Sequence, residues 1–178
     1  YILSLEALSK MEGKNYAMHR NLINRFLKRV GKYNFGEIKL GDLQTETQIN
    51  DLFSRWEAHK GGGTKFDNEH EAIKRLLKDI GGEDIKSYGI FTDANKMIAF
   101  SISGLLENKF VMGHYRKADV SYPGIFQLLE KETSAELYNL GYEFINYEQD
   151  LGIPGLRQAK RSWNPVGYLK KYIIRTKL

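Results

Sequence analysis

The sequence contains no cysteine. That excludes disulfide staples, thiolate zinc sites and a cysteine nucleophile. Only three prolines occur among the 178 residues and no low-complexity tract interrupts them, so no proline-rich linker or disordered tail is indicated. No apolar run approaches the roughly 20 residues that a membrane-spanning helix requires, and no segment has the build of a signal peptide. Acids are also missing locally. Lys14 to Lys32 holds six Lys or Arg and no Asp or Glu, and Leu151 to Leu178 holds seven and again none. These stretches carry 13 of the 27 basic residues, leaving 14 against all 22 acids, so the remainder is about eight units negative. Segregation of this kind points to an anionic partner: a nucleic-acid backbone, a phospholipid head group or a phosphorylated cofactor.

What is present suits one folded domain with a good core, at 42% hydrophobic and 12% aromatic residues. The expectation is a soluble cytoplasmic domain, with attachment to a membrane surface left open. The chain opens on Tyr1 rather than Met, and we expect it to be the back portion of a longer protein.

Apolar spacing predicts an initial helix over Tyr1–Met11 and a second over Asn15–Val30, with Met18, Leu22, Ile23, Phe26, Leu27 and Val30 inward. The opposite face of the second carries Arg25, Lys28, Arg29 and Lys32 as one basic stripe, which is either a solvated face or a contact surface for a polyanion. Further helices are predicted over Thr47–His59 and from Asp67 or Asn68 to Asp79, the latter burying Ile73, Leu76, Leu77 and Ile80. The pattern then becomes strand-like over Ile85–Phe91, Met97–Leu105 and Phe110–Arg116. Turn signals at Asp93–Lys96 and Glu107–Lys109 make this an antiparallel meander. A helix over Gly124–Leu140 follows, with Ile125, Leu128, Leu129, Leu137 and Leu140 inward and Gly141 at its end. A strand over Tyr142–Tyr147, a short helix near Leu156–Ser162 and a last strand over Val166–Arg175 complete an α+β domain with a mixed, mainly antiparallel sheet.

The most informative stretch is Tyr142 to Pro165, YEFINYEQDLGIPGLRQAKRSWNP. An alternating apolar run ends in Glu148, Gln149 and Asp150, and after a Gly-Ile-Pro-Gly turn a short helix carries Arg157, Lys160 and Arg161. Acids at a strand end facing bases on the next helix can orient a nucleophile, move a proton or hold an anion, or can simply pair. Asp150 and Glu148 are candidates to orient or deprotonate an acceptor, against ion pairing with Arg157 and Lys160. Those two bases, three residues apart on one face, are candidates to hold a phosphate. Tyr147 is a candidate proton donor or a core residue, and His114 a candidate substrate-binding group or a simple strand side chain. Trp163 and Tyr168 can stack a terminal base, with core packing the competing reading for Trp163. No His/Asp/Glu cluster suggests a metal, and no Gly-x-Ser-x-Gly elbow suggests a serine nucleophile.

The order of elements resembles the N-acetyltransferase-like (GNAT) fold across residues 1–178. Three stretches, GKNYAMHRNLINRF (Gly13–Phe26), SYPGIFQLL (Ser121–Leu129) and INYEQDLGIPGLRQAKRSWNP (Ile145–Pro165), resemble the C-terminal domain family of phosphatidylglycerol lysyltransferases and their uncharacterised soluble relatives. The resemblance implies a preceding GNAT-like half and a reaction that moves an aminoacyl group from charged tRNA to a lipid or peptide amine or hydroxyl. It places the site between the segments Tyr122–Gln127 and Tyr147–Lys160. It also makes Arg25, Lys28, Arg29, Lys170 and Lys171 the expected tRNA-backbone contacts, with Arg175 and Lys177 further along the basic tail. One departure bears on the donor. Acetyl-CoA users place a Gly-rich loop before the central helix, whereas here the position reads Asp119-Val120-Ser121-Tyr122-Pro123-Gly124. One glycine beside a proline makes a poor phosphate nest, and Tyr122 crowds it, so acetyl-CoA ranks below aminoacyl-tRNA as donor. A CoA-dependent N-acyltransferase and a non-catalytic RNA- or anion-binding module remain the alternatives.

Overall fold

In the computed structural model, residues 1–59, 67–78 and 84–172 are described. A mixed sheet of six strands carries the domain: β1 (Ile2–Ser4), β2 (Tyr33–Glu37), β3 (Ile85–Thr92), β4 (Met97–Leu105), β5 (Phe110–Ala118) and β6 (Phe144–Asn146). Their order across the sheet is β1-β6-β5-β4-β3-β2. Every pairing is antiparallel except β5 with β6. The meander β3–β4–β5 forms as the turn residues require, with Asn95 and Asn108 in the left-handed region that asparagine tolerates.

The helices are α1 (Leu5–Lys10), α2 (Ala17–Val30), α3 (Leu43–His59), α4 (Asp67–Lys78), α5 (Ile125–Asn139) and α6 (Pro154–Arg161). Helices α1, α2 and α5 share one core cluster with the sheet, and α3 and α4 share the other. Strand β4 is buried almost throughout because it is covered on both sides. Alternation sends Phe100 and Ile102 toward α3, while Ser101 turns the other way and hydrogen-bonds Thr133 of α5 at 2.9 Å. Pro154 opens α6, where its missing N–H costs nothing. Gly141, at φ +94°, lets the chain leave α5.

Several expectations are corrected. Residues Ile2–Ser4 form a strand paired with β6 before the first helix starts. Strand β2, a short edge strand with a glycine inside, has too little apolar alternation to be read from sequence. Among the described residues the anticipated last strand does not form: residues 166–172 make only one bridge, Gly167 to Ile2, and 173–175 lie outside the described residues. In α2 the buried positions are His19, Ile23 and Phe26, while Met18 is 56% exposed, so the buried stripe is rotated toward the histidine. Leu140 lies past the end of α5 and is exposed. Ile80 falls outside the described residues.

Candidate active site

Strands β5 and β6 run parallel only from Phe110 to Met112 beside Phe144 to Asn146. Beyond that the chain after β6 turns away, through Glu148 and Leu151 at positive φ, while β5 continues to Ala118. Helix α6 lies across the gap. The opening is a cavity of about 240 Å³ lined by Gly113, His114, Arg116, Phe126, Tyr147, Leu156, Ala159, Lys160 and Trp163.

Two glycines make room for its polar wall. The β4–β5 register shifts between Ile102 and Ser103, which pair with Tyr115 and Gly113, so His114 is the extra residue of a bulge. A Cβ on Gly104 would lie 2.7 Å from His114 Nε2, and one on Gly113 would overlap the Arg116 guanidinium. Both positions therefore require glycine if these side chains keep their places.

Arg116 reaches back to the centre of α5. Its Nε lies 3.0 Å from Glu130 Oε2, with side chains 7% and 0% exposed. The approach is off the N–H direction, so the contact is an ion pair without a well-directed hydrogen bond. Burial pushes the Glu130 carboxyl up, while Arg116 and the Ser134 hydroxyl at 3.2 Å pull it back. The guanidinium also stacks on the Tyr147 ring, 4.7 Å from its centroid. The Tyr147 hydroxyl is buried without a hydrogen-bond partner among the described residues.

Lys160, half-buried, donates to the Tyr147 and Gln149 carbonyls. Burial lowers its pKa, Glu148 and Asp150 oppose that, and Arg116 adds to it. Asp150 sits one step outside the lining. It accepts from Arg157 Nε at 2.7 Å and Nη2 at 3.3 Å, from the Tyr1 hydroxyl at 2.5 Å and from the Gly152 amide at 2.9 Å. Those donors, Arg157 first, hold its carboxyl well below the usual range.

Of the residues anticipated from sequence, Tyr147, Lys160 and His114 meet in this cavity. Asp150 and Arg157 pair with each other beside it, and Glu148 is exposed. Tyr122 packs against Phe26 and lies outside the lining, as does Gln127, whose neighbour Phe126 takes part. Trp163 is a wall residue at 4% exposure, stacked on His19 at 4.0 Å, so it is core and not a free platform. Tyr168 is exposed, edge-on to Tyr1. Arg25, Lys28 and Arg29 stand exposed on α2, on the side away from His19, with no ion pair among the described residues. Lys170 and Lys171 are exposed, and Arg175 and Lys177 lie outside the described residues. Sequence reasoning missed Arg116 and Glu130. The available signals were a charge in alternation with His114 on a strand and an acid on the buried stripe of α5.

The segment before α5 folds into a turn held by its own backbone and by Asp119. Asp119 Oδ1 accepts from the Ser121 amide and hydroxyl, and Tyr122 and Ile125 donate to Asp119 O and Tyr122 O. Pro123 has no N–H. A Cβ on Gly124 would overlap the carbonyl of Leu22, so α2 backs directly onto this turn. Three of its amides are already used.

The family model for the C-terminal region of phosphatidylglycerol lysyltransferases matches residues 1–175. The chain belongs to that family. Among solved structures it is similar to a conserved protein of unknown function from Bacteroides thetaiotaomicron, at 28% identity and TM-score 0.82, over 94% of this chain and 55% of that one. L-PGS from Bacillus licheniformis matches at 17% identity and TM-score 0.66, over 93% and 55%. An aminoglycoside acetyltransferase from an uncultured soil metagenomic sample shares the fold at 18% identity and TM-score 0.58, over 85% of this chain and 99% of that one. The chain thus spans a little over half the length of the first two. No curated protein matches. The fold is the GNAT fold of acyl- and aminoacyl-transferase-like domains, and among the described residues no helix is long and apolar enough to cross a membrane.

Proposed function

We propose that this domain transfers an aminoacyl group from charged tRNA to an amine or hydroxyl acceptor in the β5–β6 cleft. One observation carries the reading: the cavity gathers three basic side chains and a phenol without a hydrogen-bond partner among the described residues, where the strands part. The acceptor nitrogen or oxygen attacks the ester carbonyl, a C–N or C–O bond forms, and the carbonyl oxygen becomes an oxyanion. In this scheme Lys160 and the Tyr147 hydroxyl donate to it. Collapse breaks the ester C–O bond, and the ribose hydroxyl leaves with a proton. His114, exposed at the cavity edge, accepts the proton of the attacking group. Asp150 is a positioning residue in this scheme, because a carboxylate already held by Arg157 is a weak base.

The donor assignment is supported by the loop before α5, which has one glycine beside a proline and three amides already engaged, and by the stripe on α2 that carries no ion pair among the described residues. Likeness to acetyltransferases keeps acetyl-CoA as the second reading. The test measures transfer from charged tRNA and from acetyl-CoA side by side, with binding of uncharged tRNA at two salt concentrations. Transfer from tRNA should fall by about 10²-fold in Tyr147→Phe or Lys160→Met. Removing the charges of Arg25, Lys28 and Arg29 should flatten the salt dependence of tRNA binding by roughly three phosphate contacts. Turnover with acetyl-CoA alone would replace the tRNA reading, and absence of both activities with intact RNA binding would make this a binding module.

A further inference from the structure

Helix α6 lies over the cavity, and a helix laid over open space has little to pack against. None of its eight residues is buried. Leu156, Ala159 and Lys160 form its side of the cavity, with Arg116, Phe126 and Tyr147 opposite. Among the described residues, the side chains of α6 hydrogen-bond only to the segment that leads into it. Lys160 donates to the Tyr147 and Gln149 carbonyls, and Arg157 donates to Asp150. The two ends of the helix are held unequally. Just past its C-terminus, Trp163 is core and stacks on His19. There His19 Nε2 donates to Ser162 O at 2.9 Å, and the Tyr16 hydroxyl donates to Trp163 O at 3.2 Å. Before its N-terminus, Leu151 and Ile153 are exposed, and the Tyr1 hydroxyl on Asp150 is the side-chain tie to β1. The backbone there passes through Glu148 at φ 56°, Leu151 at 53° and Gly152 at 74°.

We propose that α6 is a hinged lid, which pivots at Ser162–Trp163, lifts at its N-terminal end and so admits and releases what the cavity holds. This goes beyond the transfer reading and holds whichever donor the cleft takes. Two opposing terms set the lid's position. The bonds of Lys160 and Arg157 hold it down. Left-handed backbone at Glu148 and Leu151, disfavoured for residues that carry a Cβ, is strain that lifting relieves. A segment with few buried apolar contacts is where a fold opens locally, and lids open without unfolding the elements beneath them.

The test is a spin-label distance measurement, which a chain without cysteine allows at chosen sites. One label goes on α2 at Asn24→Cys, an exposed position. The other goes near the lifting end at Gly155→Cys, where a Cβ meets nothing within 4 Å, or near the pivot at Arg161→Cys. Lys160→Met removes two hydrogen bonds and should raise the ratio of a second, longer Asn24–Gly155 distance to the first by about tenfold. The Asn24–Arg161 distance should stay single. Adding Leu151→Gly removes the strain from the lowered position and should return the ratio toward the closed distance by about fivefold. A loop that is merely slack would be loosened further by glycine, so a shift toward the longer distance would overturn the lid. One unchanged Asn24–Gly155 distance in both the wild type and Lys160→Met would overturn it as well. Equal displacement at Gly155 and Arg161 would do the same, because the helix would then detach as a whole without a pivot.

Discussion

Two arginine–carboxylate pairs flank the same cleft, and their environments drive them in opposite directions. In Arg116–Glu130 the side chains are 7% and 0% exposed, and burial raises the carboxyl's pKa. In Arg157–Asp150 the arginine is 45% exposed, and hydrogen bonds from Arg157, Tyr1 and Gly152 lower the carboxyl's pKa. The chemical groups are alike; solvent access and donor number decide the sign. The buried pair anchors the cavity wall to the middle of α5, so its role is architectural even though Arg116 faces the site. The outer pair fixes the turn between β6 and α6, and that turn delivers Lys160.

The comparison breaks most visibly at the buried pair. Glu130→Gln strands Arg116 without its counter-charge and should cost about 3–5 kcal/mol in urea unfolding. Replacing both partners, Arg116→Met with Glu130→Leu, should restore most of that stability while lowering transfer through the lost support of Tyr147. The double change removes the desolvation cost of both charges along with the guanidinium that lies on Tyr147. A single-variant loss under about 1 kcal/mol would mean that water reaches Arg116, and the pair would then resemble the outer one.

This contrast also explains what the sequence conveys and what it hides. The outer pair was legible because both partners lie in one local motif, with Asp150 just past a strand end and Arg157 seven residues on. The buried pair joins Arg116 in β5 to Glu130 in α5, and nothing local announces that they meet. Order and type of the long elements were readable from period alone: the meander, α5 and α6 stand where their spacing puts them. The short edge strands β1 and β2 were not, since three to five residues carry too little pattern and their pairing is decided by distant partners such as Ile145 and Ile90. The site followed the same rule. Tyr147, Lys160 and His114, named from the sequence, line the cavity, whereas the lining residues supplied by tertiary packing, Arg116 and the glycines that accommodate it and His114, were not named.

The smallest effect sharpens the comparison best, because it depends on sign. Asp150 has a depressed pKa in the folded state, so its contribution to stability is present above about 4, the ordinary aspartate value, and is lost as pH falls through the folded value. Glu130 has a raised pKa, so the folded protein takes up its proton before the unfolded chain does. Protonation of that group therefore favours folding as the medium is acidified. Urea unfolding of the wild type and of Asp150→Asn at pH 7, 5 and 3 or so should show the wild type ahead at neutral pH by less than the Glu130→Gln loss. The two should converge as pH drops below about 4, because the advantage belongs to the ionised carboxylate. At pH 7 the same variant should slow transfer while binding of uncharged tRNA changes little, since Arg157 and the turn that carries Lys160 lose their anchor without leaving the helix. A gap independent of pH would show that Asp150 holds the turn through hydrogen-bond geometry that asparagine disturbs and not through charge, and the contrast between the two pairs would then rest on burial alone.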